Sequence, residues 1–466
     1  MDKKKIFVLL PDGVGLRNFA YSDFYELGLE NDFDVVFWNN TLFDLSSLEF
    51  KEIKINNSKS HPLTSIYKNA RAQIELSLFN KRMKDNVFNY YRFPNSYATI
   101  RSSVKNILMH TLIFTHTSTY GLSRIRKKVQ QKERKTLYYQ QSLETLQKEK
   151  PAIVFCTNQR PMTAIAPVLA AQDLGIPTAT LIFSWDNLPK ATMVIETDYY
   201  FVWSDLMKKE LLLYYPYIQE SQIFVTGTPQ FEAHFDKRKL ISREDFFEQH
   251  NLDLNKKYIC YSGDDITTCP DDQKYLEDTA IAVKELNKKG NSLGIIFRRC
   301  PVDFSGRYDK VLEDYKDIIT SIDPLWKKIG EGWNTVLPTK ADIDLQMNTI
   351  ANTEMVVNLG SSMVFDYVAH DKACAYVNYD VANKKIADWS VKKIYKFVHF
   401  RSMPTSNAVL WINSPESIAE IIEKGLVKNS DVIESAKKWF EIITQKPPQE
   451  ASKRIWEAIK IIISKE

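Results

Sequence analysis

A glycine and two serines follow one apolar run in the second half of the chain. The run Met355–Asn358 leads into Gly360, Ser361 and Ser362, where glycine permits a tight turn and the serines are predicted to begin a helix. Backbone N–H groups at a helix N-terminus bind anions such as a diphosphate. Asp366, one helical turn beyond Ser362, is predicted to face the same ligand or a ribose hydroxyl. The alternative interpretation is that the serines only cap the helix.

Two aspartates are candidates for a general base, because a carboxylate can take a proton from an attacking hydroxyl. Asp186 follows an apolar run, next to Trp185 and Asn187 and four residues before Lys190. Asp12 follows the first apolar run of the chain and is the rival candidate. For Asp186 and Asn187 the alternative is an Asx turn with no chemical role.

Arginines and a second glycine loop also follow apolar runs. Arg298 and Arg299 end one such run and could neutralise a phosphate, although a surface salt bridge is the alternative for either residue. Gly263 and Asp264 follow another run and could contact a diphosphate through backbone N–H groups. Asp264 and Asp265 would repel a phosphate unless a metal intervened. They are equally well explained as turn and cap residues, and we predict no metal.

Short apolar runs alternate with longer helical patterns, which predicts βαβ units and parallel sheets. Runs that are apolar throughout are typical of strands covered on both faces. The strands predicted in the first half are Ile6–Leu10, Val35–Trp38, Ala152–Cys156, Thr178–Phe183, Tyr199–Trp203 and Ile223–Thr226. Those predicted in the second half are Tyr258–Tyr261, Leu293–Phe297, Thr335–Leu337, Met355–Asn358 and Cys374–Val377.

This pattern predicts an α/β protein with two Rossmann-like domains. Residues 1–230 form the first domain, which we expect to bind the acceptor, with a helical insertion at about 62–148. Residues 255–412 form the second, which we expect to bind a nucleotide donor. Residues 413–466 are predicted to be helices that pack back on the domains. Two such domains create a cleft between the carboxyl ends of their strands, and ligands bind there.

The net charge argues against a general nucleic-acid binder, although one stretch of the chain is strongly basic. Lys and Arg number 62 against 58 Asp and Glu, a net charge of +4, which is too small for a general nucleic-acid binder. The stretch Arg124–Lys135 is strongly basic. It is either a solvated helix face or a contact with an anionic surface such as a bilayer.

The five cysteines lie at scattered positions without metal-ligand spacing, which is typical of a reducing compartment. The N-terminal run that ends at Pro11 is predicted to be the first strand and not a signal peptide. No run of about 18 apolar residues is present to span a membrane. We therefore expect a cytoplasmic protein, with peripheral contact at the inner membrane face as the alternative.

The run GSSMVFDYVA at 360–369, followed by YVNYD at 376–380, resembles the YSSxxFDYA…YD signature of CDP-glycerol glycerophosphotransferases. Those enzymes have a GT-B fold and belong to a wider set of surface-polymer glycosyltransferases. The resemblance implies two Rossmann-like domains with parallel sheets facing across a cleft. It also implies that Ser361 and Ser362 lie at the donor phosphates, next to Gly360.

Two further segments resemble the same superfamily but depart from it at one position each. Arg298 and Pro301 match its R-x-H-P motif, while Cys300 stands where the family has a histidine that helps to hold the donor phosphate. Asp186 stands where related transferases have the histidine of W-H-G-x-x-x-K. These departures count against glycerophosphate as the transferred group.

The glycine loop after the first strand is also similar to that of GT-B enzymes, in which it faces the acceptor. Gly13 and Gly15 occupy this loop beside Asp12. Together with Trp185, Asn187 and Lys190, they form the predicted acceptor side of the site.

The resemblance implies a glycosyltransferase that moves a sugar from a nucleotide-activated donor to a surface polysaccharide or lipid-linked glycan. No cofactor is expected beyond the nucleotide-sugar substrate, and no nucleic-acid partner. Three alternatives stay open: a polyol-phosphate transferase, a nucleotide-sugar 2-epimerase, and a non-catalytic scaffold that binds nucleotides or glycans.

Overall fold

The chain folds into two units, seen in a computed structural model that describes residues 3–92, 97–329, 335–427 and 430–465. Unit 1 consists of Met1–Pro229 together with Ile443–Glu466, and unit 2 is Gln230–Ile442. The C-terminal segment predicted at 413–466 is therefore divided between the two units.

Unit 1 is built on a parallel sheet of seven strands. The strands are β1 (Lys4–Leu10), β2 (Phe33–Asn39), β3 (Glu52–Lys54), β4 (Ile153–Cys156), β5 (Thr178–Leu181), β6 (Tyr199–Val202) and β7 (Ile223–Val225). The helices are α1 (Phe24–Glu30), α2 (Thr64–Met83), α3 (Ile100–His116), α4 (Thr119–Glu133), α5 (Leu137–Glu149), α6 (Ile165–Asp173) and α7 (Asp205–Tyr214). The predicted insertion at about 62–148 thus carries four α-helices, α2 to α5.

The strand order of this sheet is β3-β2-β1-β4-β5-β6-β7. From β1 the chain builds outward to β2 and β3, and it then returns to place β4 on the other side of β1. The central strand β1 is buried from Ile6 to Leu10 because its residues are apolar on both faces of the sheet. The order in which strands are added to the sheet reverses between β1 and β4, and this position is a topological switch point.

Unit 2 contains a parallel sheet of six strands and a separate ribbon of two. Its strands are β8 (Lys257–Ser262), β9 (Leu293–Arg298), β10 (Ile319–Ser321), β11 (Lys327–Lys328), β12 (Val336–Leu337), β13 (Met355–Asn358), β14 (Ala373–Val377) and β15 (Leu410–Ile412). Its helices are α8 (Arg243–Gln249), α9 (Asp272–Lys288), α10 (Asp309–Asp314), α11 (Lys340–Ala351), α12 (Met363–Val368), α13 (Val391–Ile394), α14 (Ile418–Leu426) and α15 (Ser430–Ile443).

The order in the six-stranded sheet is β10-β9-β8-β13-β14-β15. The chain builds outward from β8 on one side and then crosses to place β13 on the other side. The switch point of unit 2 therefore lies between β8 and β13. The predicted α/β fold with two Rossmann-like domains is confirmed.

The predicted strand Thr335–Leu337 is present as a strand, but it lies outside the six-stranded sheet. Thr335–Leu337 was predicted as a sheet strand, whereas Val336 and Leu337 form β12, which pairs antiparallel with β11 in the two-stranded ribbon. Because its pairing with β11 is antiparallel, β12 stands outside the parallel βαβ pattern.

The C-terminal helix, α16 (Ala451–Ser464), completes unit 1. Its Trp456 stacks on Phe24 with 4.6 Å between ring centroids, and the indole N–H donates to the Phe24 carbonyl at 2.8 Å. Gly28 of α1 leaves room for this ring, because a Cβ at Gly28 would lie 2.4 Å from Trp456. The last residues of the chain thus supply part of the core of the first unit.

Candidate functional site

Asp12 lies at the switch point of unit 1, in the loop after β1. Its Oδ2 accepts a hydrogen bond from Asn158 Nδ2 at 3.0 Å, and Asn158 follows the neighbouring strand β4. Its Oδ1 accepts from the backbone N–H of Val14 at 3.2 Å. Burial raises the pKa of the Asp12 carboxyl, against the opposing effect of these hydrogen bonds. A raised pKa makes a carboxylate a stronger base.

The glycines of this loop allow β1 and β4 to approach each other. A Cβ at Gly15 would lie 2.4 Å from Thr157 Oγ1 and 2.9 Å from Leu10 Cδ2. Gly13 accepts a hydrogen bond from Leu16 N at 3.2 Å, which begins the short helical turn after the loop. Both glycines therefore shape the backbone around Asp12.

Asp186 is engaged by its own neighbours. Lys190 donates to Asp186 Oδ2 in an ion pair, and Asn187 Nδ2 donates to Oδ1 at 2.9 Å. Trp185, which precedes Asp186 in the sequence, is buried. Because an ion pair stabilises the charged carboxylate, Asp186 is the weaker candidate for a base.

Two consecutive residues connect the predicted acceptor-side residues. Asn158 binds Asp12, and Gln159 Nε2 donates to Asn187 Oδ1 at 3.0 Å while its Oε1 accepts from Phe183 N at 2.9 Å. Sequence reasoning missed both. The same signal that identified Asp12 was present, because Asn158 and Gln159 are polar residues directly after the apolar strand β4.

Glu210 on α7 was also missed. Burial raises the pKa of its carboxyl to about 8, and the charge of Asp186 adds to the effect. Its side chain remains partly exposed to solvent. Glu210 is therefore protonated at neutral pH and lies close enough to Asp186 to respond to its charge.

The predicted glycine–serine turn lies at the switch point of unit 2, directly after β13. Gly360 has a φ of +66°, a left-handed conformation that favours glycine. Ser361 N donates to Asn358 Oδ1 at 3.0 Å, and Tyr376 donates its hydroxyl proton to the Ser361 carbonyl at 2.7 Å. Ser362 stands at the N-cap of α12, but its side chain makes no capping hydrogen bond. Capping therefore does not explain the Ser362 hydroxyl.

The loop after β8 lies on the other side of the same switch point. Gly263 N donates to the Arg298 carbonyl at 2.9 Å, and Asp264 N donates to Asp272 Oδ2 at 3.1 Å. Burial, followed by the charge of Asp272, raises the pKa of Asp264 well above its usual value. A neutral Asp264 would not repel a phosphate. Asp265, by contrast, accepts from Thr267 N at 2.8 Å as a turn residue.

The two predicted arginines are already paired with carboxylates. The buried Arg298 donates from Nη2 to Asp342 Oδ1 at 2.6 Å, while its buried Nη1 has no hydrogen-bond partner among the described residues. Arg299 forms an ion pair with Asp323 at 3.1 Å. Burial raises the pKa of the Cys300 thiol to about 12, so this position carries no charge at neutral pH.

Asp366 lies on α12, the helix that begins after Ser362. It is buried, and His234 Nε2 lies 2.7 Å from its Oδ1. His370 Nε2 lies 3.2 Å from Nδ1 of the same histidine, and burial lowers the pKa of His370 to about 4. The Asp366 carboxylate therefore has a partner inside unit 2, and its contact with a ligand stays a prediction.

The basic stretch Arg124–Lys135 is only partly available to a ligand. Arg126 donates from Nε to Glu196 at 2.6 Å, and Arg134 donates from Nε to Asp173 at 2.7 Å. These two residues tie α4 to the body of unit 1. Within the described ranges, no helix has the length and hydropathy to cross a membrane, and no cluster of His, Cys, Asp and Glu could hold a metal.

No protein-family model matches the chain, and no curated protein matches it in sequence. Solved structures do match over nearly the full length. A UDP-N-acetylglucosamine 2-epimerase from Listeria monocytogenes is 12% identical with a TM-score of 0.55, covering 100% of this chain and 98% of that one. UDP-GlcNAc 2-epimerase from Neisseria meningitidis, bound to UDP-GlcNAc, is 13% identical with a TM-score of 0.53, covering 98% and 100%.

A glycosyltransferase from Rickettsia africae is 13% identical with a TM-score of 0.54, and the match covers 100% of both chains. At these identities the likeness concerns the fold. The two parallel α/β sheets and the full-length matches agree with the fold that the sequence predicts. The chain therefore has the two-domain GT-B fold.

Proposed function

We propose that the protein is a nucleotide-sugar-dependent glycosyltransferase. One observation carries the proposal: Asp12 follows β1 and Ser361 and Ser362 follow β13, so each lies at the topological switch point of its sheet. Open α/β sheets bind their ligands at these points, outside the carboxyl ends of the strands. The fold is also that of structures described as a glycosyltransferase and as enzymes acting on UDP-GlcNAc.

In this proposal unit 2 binds the donor nucleotide. Gly360 and Ser362 offer a close backbone approach and a hydroxyl without a capping role. Arg298 offers a buried N–H without a described partner, and its positive charge suits a phosphate. Burial raises the pKa of the Asp264 carboxyl well above its usual value, which favours its uncharged form and so lessens repulsion of a phosphate. These groups lie after β9, β8 and β13, which are neighbours in the sheet.

Unit 1 supplies the base and binds the acceptor. The acceptor hydroxyl attacks the anomeric carbon of the donor sugar, the bond from that carbon to the diphosphate breaks, and Asp12 takes the hydroxyl proton. Asp12 is preferred over Asp186 because its carboxylate forms no ion pair with any residue that the structure describes, and because its pKa is raised. The acceptor we propose is a surface polysaccharide or a lipid-linked glycan.

The test is donor consumption by Asp12→Asn. With a panel of nucleotide sugars and a mixture of cell-envelope glycans, wild type should release a nucleoside diphosphate and form a glycoside detectable by mass spectrometry. Asp12→Asn keeps an oxygen for the Asn158 hydrogen bond but removes the base, so kcat should fall by about 10²- to 10⁴-fold with little change in donor affinity. Asp186→Asn is the matched control and should retain most activity. Full activity in Asp12→Asn would remove Asp12 from the mechanism.

A nucleotide-sugar 2-epimerase is the second candidate, because two of the similar structures are UDP-GlcNAc 2-epimerases. Such an enzyme would convert UDP-GlcNAc to its C2 epimer without any acceptor and without release of UDP. Glycoside formation only with acceptor present supports the transferase. Transfer of a polyol phosphate, or nucleotide binding with no turnover in any of these assays, would instead support the polyol-phosphate transferase or the scaffold.

A further inference from the structure

Helix α3 carries apolar side chains on two opposite faces. The inner face packs against α2, where Met109 is buried with Ile66 and Ala70. Leu112 and Ile113 pack against the same cluster. This face accounts for the attachment of α3 to unit 1, and it leaves the outer face to be explained.

The outer face of α3 is apolar and exposed to solvent. Ile100, Val104, Ile107 and Phe114 are spaced so that they share one side of the helix. Their exposed fractions are 86%, 50%, 64% and 90%. From Ile100 to Phe114 the stripe is about 21 Å long, with Thr111 on the same side between Ile107 and Phe114. Contiguous apolar surface of this kind marks a site of interaction with a partner or a membrane.

Positive charge surrounds this stripe. Residues 97–132 contain seven Lys or Arg and no Asp or Glu. Arg101 borders the stripe on α3, while Arg124 and Lys127 lie on the exposed face of the next helix, α4. Within the described part of the chain, no carboxylate lies within ion-pair distance of these three side chains. The partner of this surface is therefore expected to be anionic.

Two exposed tyrosines lie next to the apolar stripe in the sequence. Tyr97 precedes α3 and Tyr120 lies in the first turn of α4, and both are largely exposed. The Arg124 guanidinium lies 5.8 Å from the centroid of the Tyr120 ring. Tyrosine rings concentrate at the boundary between lipid headgroups and acyl chains, because one end of the ring is apolar and the other polar.

We propose that the outer face of α3 binds the surface of an anionic lipid bilayer. The apolar stripe would enter the boundary between headgroups and acyl chains, and the basic residues of α3 and α4 would contact the anionic headgroups. A second copy of the chain fits less well. It would bring an equally basic surface against the first, and like charges across an interface are unfavourable.

This inference changes the predicted membrane contact. Within the basic stretch Arg124–Lys135, Arg126 and Arg134 are held by carboxylates of unit 1, whereas Arg124 and Lys127 are exposed. The apolar stripe of α3 supplies the part that enters the bilayer. Vesicle binding requires no nucleotide, so the proposal is tested separately from the proposed activity.

The experiment is co-sedimentation of the full chain with vesicles of phosphatidylglycerol and phosphatidylcholine, compared with vesicles of phosphatidylcholine alone. Wild type should bind the anionic vesicles at least about 10-fold more strongly and should lose most of that binding at 1 M salt. Ile107→Ser with Phe114→Ser should weaken binding by about 10-fold or more. Both side chains are exposed, so the double variant should fold, and its melting temperature verifies this.

The matched control is Leu254→Ser with Ile386→Ser, which replaces exposed apolar residues of unit 2 and should leave vesicle binding unchanged. Arg124→Glu with Lys127→Glu should reduce binding to anionic vesicles without affecting the fold. Absence of binding to anionic vesicles, or equal binding by the α3 variant, would overturn the proposal. A concentration-dependent dimer abolished by the α3 variant, without vesicle binding, would identify a second copy as the partner instead.

Discussion

At the residue scale, the carboxyl groups of Asp12, Asp186 and Glu210 in unit 1 differ in their surroundings. Burial raises the pKa of Asp12, an ion pair with Lys190 holds the charge of Asp186, and Glu210 is protonated at neutral pH. Neighbouring groups whose environments separate their pKa values are typical of sites for acid and base chemistry. Burial thus raises the pKa of both Asp12 and Glu210, and that of Glu210 reaches about 8.

Glu210→Gln should change how stability depends on pH. The folded protein holds the Glu210 proton up to a pKa of about 8, against 4.5 for an ordinary glutamate. The free energy of unfolding of wild type therefore falls as pH rises from about 4.5 to about 8. Glutamine removes this fall, so the variant should be the more stable protein at pH 9, by about 2 kcal/mol after allowance for partial solvent exposure.

Urea unfolding at pH 4.5 and at pH 9 measures the effect. The two proteins should differ little at pH 4.5 and most at pH 9. Glu457→Gln, a change at an exposed glutamate of α16, is the control and should follow wild type. Equal pH dependence in wild type and Glu210→Gln would show that Glu210 titrates as an ordinary glutamate.

At the scale of elements, the turn between β13 and α12 depends on one glycine. A Cβ at Gly360 would lie 3.0 Å from Phe400 and 3.2 Å from Ile394, in a backbone conformation that other residues rarely adopt. Gly360→Ala should therefore destabilise the protein by about 1–3 kcal/mol and move Ser362, which weakens nucleotide binding. Thermal unfolding and nucleotide titration measure the two effects.

Gly290→Ala provides the matched comparison. Gly290 also has a positive φ, +98°, but a Cβ there would meet no atom within 4 Å. This variant should lose stability through backbone strain and keep its nucleotide affinity. If both variants bound nucleotide as wild type does, the turn after β13 would have no part in the donor site.

Longer runs that are buried and apolar were predictable as strands, as for Ile6–Leu10 and Met355–Asn358, whereas the three-residue apolar strand β15 was missed. The short edge strands β3 and β10 carry polar residues and give no comparable signal, because an edge strand has less to bury. Thr335–Leu337 was apolar enough to suggest a sheet strand, but its pairing with β11 depends on contacts that a local pattern does not contain.

The candidate site was predictable only in part, because the sequence gives residue types and positions but not the order of the strands. Residue type and position after a strand identified Asp12, Gly360 and Ser362. The partners of these residues depend on strand order, so the bond from Asn158 to Asp12 could not be read from the sequence. The same holds for Asp366, whose carboxylate is used by His234, 132 positions away.

At the scale of the whole molecule, the chain leaves unit 1 and returns to it at its end. Trp456→Ala should destabilise unit 1 by about 3–5 kcal/mol, because it removes a buried indole and leaves the Phe24 carbonyl without its donor. Hydrogen exchange should accelerate first in β1 and β2. Trp439→Ala is the reciprocal control, since Trp439 is buried against Phe365 of unit 2 and should affect unit 2 first. Acceleration confined to unit 2 in Trp456→Ala would contradict the assignment of α16 to unit 1.

The central claim is that a nucleotide sugar binds at the switch point of unit 2. Calorimetric titration of UDP, UDP-GlcNAc and other nucleoside diphosphates into wild type tests it most directly, with Ser362→Ala and Ser406→Ala alongside. Ser406 is exposed and precedes β15, so it is the matched serine away from the carboxyl ends of the strands.

The account predicts that one class of nucleoside diphosphate binds wild type and Ser406→Ala equally. Ser362→Ala should bind it about 10-fold more weakly, because a hydrogen bond to a charged group is lost. Absence of binding by every nucleotide at millimolar concentration, or equal affinity in Ser362→Ala, would contradict the account.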